Sequence, residues 1–314
     1  MDAFEEHRKY LFGIAYRMLG SAADADDMVQ ETFMRWQASD QATIHSPRAF
    51  LSTVITRICL DRLKEAHSKR VDYVGPWLPE PLVTEGDAVE AAESISLAFL
   101  VLLESLTPLE RAVHLLHDVF DYRHEEIANI IGRDAATCRK ILERARKDIV
   151  ARRPRYAPSR EAHREMVARF ATAVATGDVA ALESMLAADA ISIGDGGGKA
   201  LAARKPIVGR NAVIKLYANL AKFFDATTTT EVREVNGWPA IIMHHGGRTL
   251  GVVQLETDGE TIFAIRSIRA FLTGAVFDLC RAQPPDKTNI RRYKYCPTAG
   301  EAEMIMYGSP YNPR

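Results

Sequence analysis

The sequence lacks features of a membrane or secreted protein. Its longest apolar run, residues 97–103, is far shorter than the ~18–20 residues that cross a bilayer. The first six residues are acidic and contain no apolar core like that of a signal peptide. We therefore expect a cytoplasmic protein with no membrane partner.

Cysteine is scarce, and it forms no metal-binding pattern. Cys59, Cys138, Cys280 and Cys296 lie far apart, with no CxxC pair and no cysteine–histidine cluster at zinc spacing. We expect unpaired thiols in a reducing compartment, and neither a metal nor another cofactor.

Net charge is almost absent, but this average conceals two opposed blocks. The 314 residues carry a formal net charge of −1. Residues 80–126 hold eleven acidic and two basic residues, whereas residues 133–155 hold nine basic and three acidic residues. This split indicates one surface for a polyanion and others for protein partners.

The first half of the chain is predicted to be helical, with an extended interruption. Apolar residues recur at spacings of three and four at Leu11, Ile14, Met18, Val29, Phe33, Trp36, Leu51, Ile55 and Ile58. Three prolines between residues 76 and 81 exclude a regular helix and favour an extended linker, which Trp77 and Leu78 would anchor. Helices resume at about residue 88, and Thr107 to Glu110 match a capping box.

The last helical pair before residue 155 has the pattern of a helix-turn-helix. Residues 125–131 and 135–149 form the two helices, with Gly132 closing the first and Asp134 capping the second. The second helix has an apolar face made by Cys138, Ile141, Leu142, Ala145 and Ile149. Its outer face carries Thr137, Lys140, Arg144 and Lys147, with Arg139 and Arg146 beside them. Such a helix fits the major groove of DNA, although a solvated basic helix would show the same pattern.

The remainder of the chain predicts an α+β domain. Apolar residues predict two helices, one around Val167–Val174 and one around Val179–Leu186. Strands are predicted after them at residues 190–193, 227–235, 240–245, 249–255 and 261–268. A third helix, at residues 211–224, lies between the first strand and the others. We read the later strands as an antiparallel meander. The expected domains are residues 1–72, 73–92 (linker), 93–155 and 160–275, with a loop-like or disordered tail at 276–314.

Two segments resemble the extracytoplasmic-function (ECF) sigma factors. Residues 11–37, LFGIAYRMLGSAADADDMVQETFMRWQ, are similar to region two of that family, and residues 106–146 are similar to region four. The resemblance implies a multidomain fold with two all-α sigma domains, the second containing the helix-turn-helix. It also implies two partners, promoter DNA and core RNA polymerase, the latter through the clamp helices of the largest subunit and the flap.

The resemblance also implies roles for individual residues. Contacts to core polymerase are expected from Asp27, Val29, Gln30, Glu31 and Phe33. Contacts to the minus-ten element are expected from Arg48, Phe50, Arg57, Asp61 and Arg62. Contacts to the minus-thirty-five element are expected from Thr137, Arg139, Lys140, Arg144 and Lys147. From the residues alone, a core role remains open for Phe50 and for at least one apolar residue of the first set.

Two short motifs are similar to those of a subgroup with a fused SnoaL-like domain of the NTF2-like superfamily. In that subgroup the fused domain is thought to regulate the sigma core. The motif residues, expected to be regulatory, are Trp77, Leu78, Pro79, Glu80, Pro81, Asp195, Gly196, Gly197, Gly198 and Lys199. The subgroup's Asn-Pro-Asp-Lys-Leu motif after the last strand is missing, and only Pro285-Asp286-Lys287 occurs later.

Three other functions stay open at this point. SnoaL-like domains include cyclases and isomerases, for which Asp189, Asp195, His244 and His245 would be the acid–base candidates. The C-terminal domain could instead hold an unidentified small ligand, and the helix-turn-helix could regulate transcription without polymerase. Phosphate binding by the glycine-rich segment is disfavoured, because no Lys-Ser/Thr follows at P-loop spacing.

Overall fold

The computed structural model describes residues 3–70, 76–84, 96–152, 158–196, 202–222 and 224–269. The helices in these residues are α1 (Ala3–Leu19), α2 (Ala22–Gln37), α3 (Pro47–Arg70), α4 (Leu97–Glu104), α5 (Pro108–His114), α6 (His124–Ile131), α7 (Ala135–Arg152), α8 (Arg160–Thr176), α9 (Val179–Met185) and α10 (Arg210–Ala221). The strands are β1 (Leu186–Asp195), β2 (Ile207–Val208), β3 (Thr228–Val235), β4 (Trp238–His245), β5 (Arg248–Thr257) and β6 (Ile262–Ile268). The predicted order of helical parts followed by an α+β part is confirmed. The expectations for residues 270–314, including Cys280 and Cys296, fall outside the described residues.

Helices α1, α2 and α3 pack around the apolar positions that the periodicity predicts. Every one of those positions is buried except Phe33, which is half-buried against Phe4. Helix α1 ends at Gly20, whose φ of 70° lets the chain reverse. Helix α2 then starts at once, because the Ser21 side chain accepts a hydrogen bond from the Asp24 N–H at 3.2 Å.

The second helical part begins its helices where the sequence signals predict. The Thr107 hydroxyl accepts from the Glu110 N–H at 3.3 Å, and the Glu110 carboxylate accepts from the Thr107 N–H at 3.1 Å, which completes the capping box. Helix α6 closes at Gly132 with a φ of 67°, and the Asp134 carboxylate accepts from the Thr137 N–H at 2.8 Å at the start of α7. Helix α7 runs three residues beyond the predicted end.

The two helical parts share one hydrophobic core. Leu100 and Leu103 of α4 and Ile149 at the end of α7 are buried in the same cluster as the α1–α3 bundle. Arg111 of α5 ties the parts together, since its guanidinium donates to the Met18 carbonyl at 2.6 Å and pairs with Glu104 at 2.9 Å. The turn between α6 and α7 packs on a smaller core of its own.

The C-terminal part is a six-stranded sheet with the strand order β2-β1-β6-β5-β4-β3, and α8, α9 and α10 pack against it. The predicted antiparallel hairpins from β3 to β6 are confirmed. The pairing of β1 was not predicted, and β1 pairs with β6 in parallel. The crossover through α10 brings the chain back so that β1 lies beside the last strand. The two-residue strand β2 was missed, since it is too short to show a periodicity.

The sheet attaches to the helical core at the ends of its central strands. Ile268 at the end of β6 is buried in the α1–α3 cluster, and Ile193 of β1 packs against that cluster. At the β3 edge of the sheet, Val83 of the linker forms a β-bridge with Val235. The linker, the ends of β1 and β6 and the turn after β3 therefore meet in one place.

Gly251 of β5 is a position where the fold depends on a missing side chain. A Cβ there would lie 2.4 Å from the Ile268 carbonyl oxygen. We expect Gly251→Ala to push β6 from β5 and to lower the free energy of unfolding by about 1–3 kcal/mol. Urea unfolding monitored by circular dichroism measures this. Leu250→Ala, which shortens an exposed neighbour, is the control, and equal midpoints for the two variants would contradict the prediction.

Candidate functional sites

Helix α7 presents the predicted basic face to solvent. Its five predicted apolar residues are all buried, whereas Lys140 and Lys147 are exposed and have no ion pair among the described residues. Arg139 and Arg144 are also exposed, and they pair loosely with Glu125 at 3.3 Å and with Glu110 at 3.8 Å. Exposed pairs of this kind contribute little and exchange readily for a phosphate. Thr137 is half-buried, and its hydroxyl donates to Asp134 at 2.6 Å.

Arg146 differs from the other cations of α7, because a structural ion pair holds it. Its Nε donates to the Asp118 carboxylate at 2.9 Å, and its Nη2 bonds the other carboxylate oxygen. Burial raises the pKa of Asp118, but hydrogen bonds from Arg146 and His117 outweigh it and lower that pKa to about 2. Burial of the neighbouring His114 side chain lowers the pKa of that imidazole. Arg146 thus fixes α7 onto the preceding helices.

The residues predicted to contact the minus-ten element are spread along α3 with different partners. Arg48 lies over the Tyr10 ring, 4.6 Å from its centroid, and Phe50 packs against Trp36. Arg62 pairs with Asp24 at 2.7 Å, and Asp61 pairs with Lys64 at 2.8 Å. The structure therefore does not gather these five side chains into one open patch.

Arg57 is bound by the other helical part. Its Nε donates to the Ile130 carbonyl at 2.8 Å, and its Nη2 donates to the Asn129 carbonyl at 3.0 Å. These are carbonyls of the last turn of α6, where a cation is favoured by the helix dipole. In this arrangement the side chain that is expected to follow a DNA strand is engaged by the helix-turn-helix.

Helix α2 carries the residues predicted to contact polymerase, and four of the five reach its surface. Asp27 and Gln30 are exposed, while Glu31 and Phe33 are half-buried. Val29 is only 2% exposed and packs in the core, so the core role that the sequence left open applies to it. Burial of the apolar face of the helix explains this.

Met34 on the same helix was missed by the sequence reasoning. Its side chain is 61% exposed, an unusual environment for a large apolar residue. It follows Asp27 and Gln30 by seven and four residues, so the three share one face of α2. Helical spacing from the acidic residues could have identified it.

The linker binds the first helical part through Glu80. Its carboxylate accepts from the Ala22 N–H at 2.8 Å and from the Ser21 hydroxyl at 3.2 Å, at the N-terminus of α2. Its own N–H donates to the Gly20 carbonyl at 2.7 Å, and its carbonyl accepts from the Tyr16 hydroxyl at 2.6 Å. Glu80 thus supplies a negative charge where the dipole of α2 favours one.

The C-terminal domain also forms hydrogen bonds with the backbone of this linker. The Asp195 carboxylate, at the end of β1, accepts from the Leu78 N–H at 2.7 Å. Asn236, in the turn between β3 and β4, accepts from the Leu82 N–H at 3.1 Å through its side chain and donates its own N–H to the Leu82 carbonyl at 2.7 Å. The Thr84 N–H also donates, to the Glu234 carbonyl at 2.9 Å.

Asn236 joins three parts of the molecule. Besides its contacts to the linker, its Nδ2 donates to the Tyr16 hydroxyl of α1 at 2.8 Å. That hydroxyl is fully buried, and burial raises the pKa of Tyr16. The asparagine adopts a φ of 52°, which this residue tolerates better than most. An Asn-Gly pair predicts a hairpin turn, and no sequence signal shows that the side chain has a second role.

Among the described residues, only some members of the two regulatory motifs contact each other. Leu78, Pro79 and Pro81 are buried, whereas Trp77 is 40% exposed. Asp195 contacts the linker as expected, and Gly196 follows it outside any strand. Gly197, Gly198 and Lys199 lie outside the described residues.

Comparison with known proteins identifies the family to which this chain belongs. Residues 3–69 match Sigma-70 region 2, and residues 96–149 match Sigma-70, region 4. The chain is 38% identical to the ECF RNA polymerase sigma factor SigJ of Mycobacterium tuberculosis over 71% of this chain and 73% of that protein. The chain belongs to the ECF sigma factors.

Further comparisons extend the similarity to the C-terminal domain of this ECF sigma factor. The chain is 31% identical to the probable ECF sigma factor SigI of M. tuberculosis, over 84% of this chain and 90% of that protein. The crystal structure of M. tuberculosis SigJ matches with a TM-score of 0.69 and 30% identity, and the match covers 88% of this chain and 97% of that one. The helical sigma regions and the C-terminal sheet domain therefore occur together in a known architecture.

These matches confirm the sequence-based expectations of a sigma factor and of its helix-turn-helix. As an ECF sigma factor, the protein directs transcription initiation by RNA polymerase, and its helix-turn-helix belongs to region four. The relatives named above are sigma factors. Among the described residues, no helix has both the length and the hydropathy needed to span a bilayer.

The contacts of Asn236 allow a direct test of how the domains are joined. Asn236→Gly keeps the positive φ but removes the hydrogen bonds of the side chain to Leu82 and Tyr16. We expect the free energy of unfolding to fall by about 1–3 kcal/mol and the linker to be cleaved faster in limited proteolysis. Asp121→Gly is the matched control, because Asp121 also has a positive φ but is exposed. Identical cleavage of Asn236→Gly and the unmodified protein would count against the joint.

Proposed function

We propose that this ECF sigma factor is held closed by its own C-terminal domain. The observation that carries the proposal is the linker, whose backbone is hydrogen-bonded to α1 and α2 on one side and to the C-terminal sheet on the other. Core polymerase and promoter DNA then bind surfaces that become available when the two sigma regions separate.

The distance between the two promoter elements supports this proposal. The minus-ten and minus-thirty-five elements are about 25 base pairs apart, which is roughly 85 Å at ~3.4 Å per base pair. In the closed protein the two regions touch, since the Tyr10 hydroxyl of α1 donates to the Tyr122 hydroxyl at 3.0 Å and Tyr122 donates to Ser52 of α3 at 2.7 Å. Both regions can reach their elements at once only after these contacts break.

We assign the minus-thirty-five element to α7. Thr137, Arg139, Lys140, Arg144 and Lys147 form its outward face. The residues nearest its N-terminus would meet base edges, and the later cations would meet phosphates. The unpaired Lys140 and Lys147 and the weak pairs of Arg139 and Arg144 favour this role.

We assign core polymerase to the outer face of α2 and the minus-ten element to α3. On α2, Asp27, Gln30 and Glu31 offer polar groups to a basic surface such as the clamp helices of the largest subunit, and Met34 and Phe33 add apolar contact. On α3, opening frees Arg57 from the carbonyls of α6, and Arg48, Phe50, Asp61 and Arg62 complete the DNA-facing set. The flap of polymerase would then receive region four.

We further propose that the C-terminal domain regulates and does not catalyse. Each acid–base candidate is engaged elsewhere or lies on the surface: Asp195 binds the linker, His244 contacts Glu231 at 3.1 Å, His245 contacts Thr227 at 3.1 Å, and Asp189 is exposed. None of them lines the apolar pocket that lies between the sheet and α10. The weaker alternative, a cyclase or isomerase fused to a DNA-binding module, would need an acid or base in that pocket.

The assignment of α7 can be tested with the holoenzyme on a promoter fragment. We expect Lys140→Ala combined with Arg144→Ala to weaken binding and to reduce the slope of log K against log[salt] by about two, because each lost phosphate contact removes about 0.9. Electrophoretic shift assays at several salt concentrations measure the slope. Arg204→Ala with Lys205→Ala, which removes two exposed cations from the C-terminal domain, is the control. An unchanged slope would remove α7 from the DNA interface.

The closed state can be tested by run-off transcription with bacterial core polymerase. Asp195→Ala removes the acceptor of the Leu78 N–H, a loss of about 1.5–3 kcal/mol that favours the open form roughly tenfold or more. We expect core polymerase to retain more of this variant at limiting concentration and the amount of promoter-dependent transcript to change. Asp189→Ala on the same strand is the control. No transcript and no association with core polymerase from any form would refute the proposed function.

A further inference from the structure

The C-terminal domain contains a pocket between its sheet and α10. The pocket has a cavity volume of about 70 Å³ and is partly open to solvent. Its walls are mostly apolar and include Leu216, Leu220, Phe224 and Met243. Small-molecule sites likewise combine apolar walls with a few fixed polar groups.

The polar groups of this pocket are hydroxyls and one cation. Tyr217 and Ser192 line it with their hydroxyl oxygens 3.3 Å apart, and Ser267 adds another hydroxyl. Burial raises the pKa of Tyr217 to about 12, against a smaller opposite effect of the Ser192 hydrogen bond. The phenol therefore stays protonated and can donate a hydrogen bond.

Arg269, directly after β6, supplies the cation. Its side chain lines the pocket, and burial lowers the pKa of its guanidinium, with Tyr217 opposing the shift. None of the described residues lining the pocket is acidic, and Arg269 forms no ion pair with any carboxylate in the described part of the chain. A bound anion would supply the counter-charge that this half-buried guanidinium lacks among the described residues.

We propose that this pocket binds a small organic acid, whose carboxylate pairs with Arg269 and whose apolar body lies against Leu216, Leu220 and Phe224. A guanidinium offers two parallel N–H donors to a carboxylate, which makes the pair strong and directional. The hydroxyls of Tyr217 and Ser192 are available to the remaining acceptor sites. A single positive charge in an apolar pocket selects a monoanion with a hydrocarbon body.

Such a ligand would lie next to the residues that hold the linker. The Arg269 N–H donates to the Asp195 carbonyl at 2.7 Å, and Gly194, which precedes Asp195, lines the pocket. The carboxylate of Asp195 in turn accepts from Leu78. Occupancy of the pocket therefore shifts the balance between closed and open forms, a consequence that rests on the proposed function.

Calorimetry on the full chain tests the site, with octanoate and 1-octanol as probes of equal length. We expect octanoate to bind at least tenfold more tightly than 1-octanol, and this difference to disappear in Arg269→Gln. Arg269→Lys, which keeps a charge, should retain part of the preference, and Arg248→Gln, which removes an exposed cation of β5, should retain all of it. Equal affinities for acid and alcohol, or no measurable binding of octanoate to the unmodified protein, would overturn the proposal without recourse to any variant.

Run-off transcription with and without octanoate tests the consequence separately. We expect the acid to change the amount of transcript made with the unmodified protein and to leave Arg269→Gln unaffected. Binding by calorimetry without any change in transcript would overturn the coupling to the linker. Absence of transcript with no acid present would count against the proposed function instead, and the calorimetric result would stand.

Discussion

The closed structure depends on satisfying the backbone of an extended segment that runs between two domains. Buried N–H groups need acceptors, and a strand-like linker cannot supply them internally. Here the N–H groups of Leu78, Glu80, Leu82 and Thr84 all donate: the helical part supplies the acceptor for Glu80, and the C-terminal domain supplies the other three. The intervening positions 79 and 81 are prolines, which have no N–H to satisfy. The two prolines thus add no further donor between the hydrogen-bonded positions 78, 80 and 82.

This arrangement makes the linker a mechanical connection between helix α2 and the sheet. Glu80 caps the N-terminus of the helix whose outer face we assign to polymerase, and two residues away Leu78 and Leu82 are held by Asp195 and Asn236. A movement of the C-terminal domain therefore acts on the start of α2 through a few extended residues. Extended backbone with fixed prolines transmits such a displacement better than a flexible glycine–serine linker would.

The sequence predicts local structure well here because capping and periodicity are local. The capping box at Thr107, the glycine at 132 and the apolar face of α7 all lie where the residues indicate. What it does not predict depends on distant packing. The parallel pairing of β1 with β6 requires knowledge of where a crossover returns, and the engagement of Arg57 by α6 requires knowledge that the two helical parts touch.

The site residues show the same limit. The resemblance assigns Val29 to polymerase because that stretch contacts polymerase, but the helical periodicity already places it on the buried face with Trp36. Asn236 shows the reverse case. Its dipeptide fully explains a hairpin turn, so nothing remains in the sequence to signal that the same side chain joins the linker to Tyr16.

Covalent fusion explains how contacts this modest can maintain the closed form that we propose. Each hydrogen bond at the joint contributes only about 0.5–1.5 kcal/mol, or somewhat more where a carboxylate accepts. A separate domain held by so few bonds would dissociate, but a tethered domain acts at an effective concentration on the order of mM. The closed form is then stable enough to persist alone and weak enough for polymerase to open, because a partner shifts such an equilibrium only by its difference in affinity for the two forms.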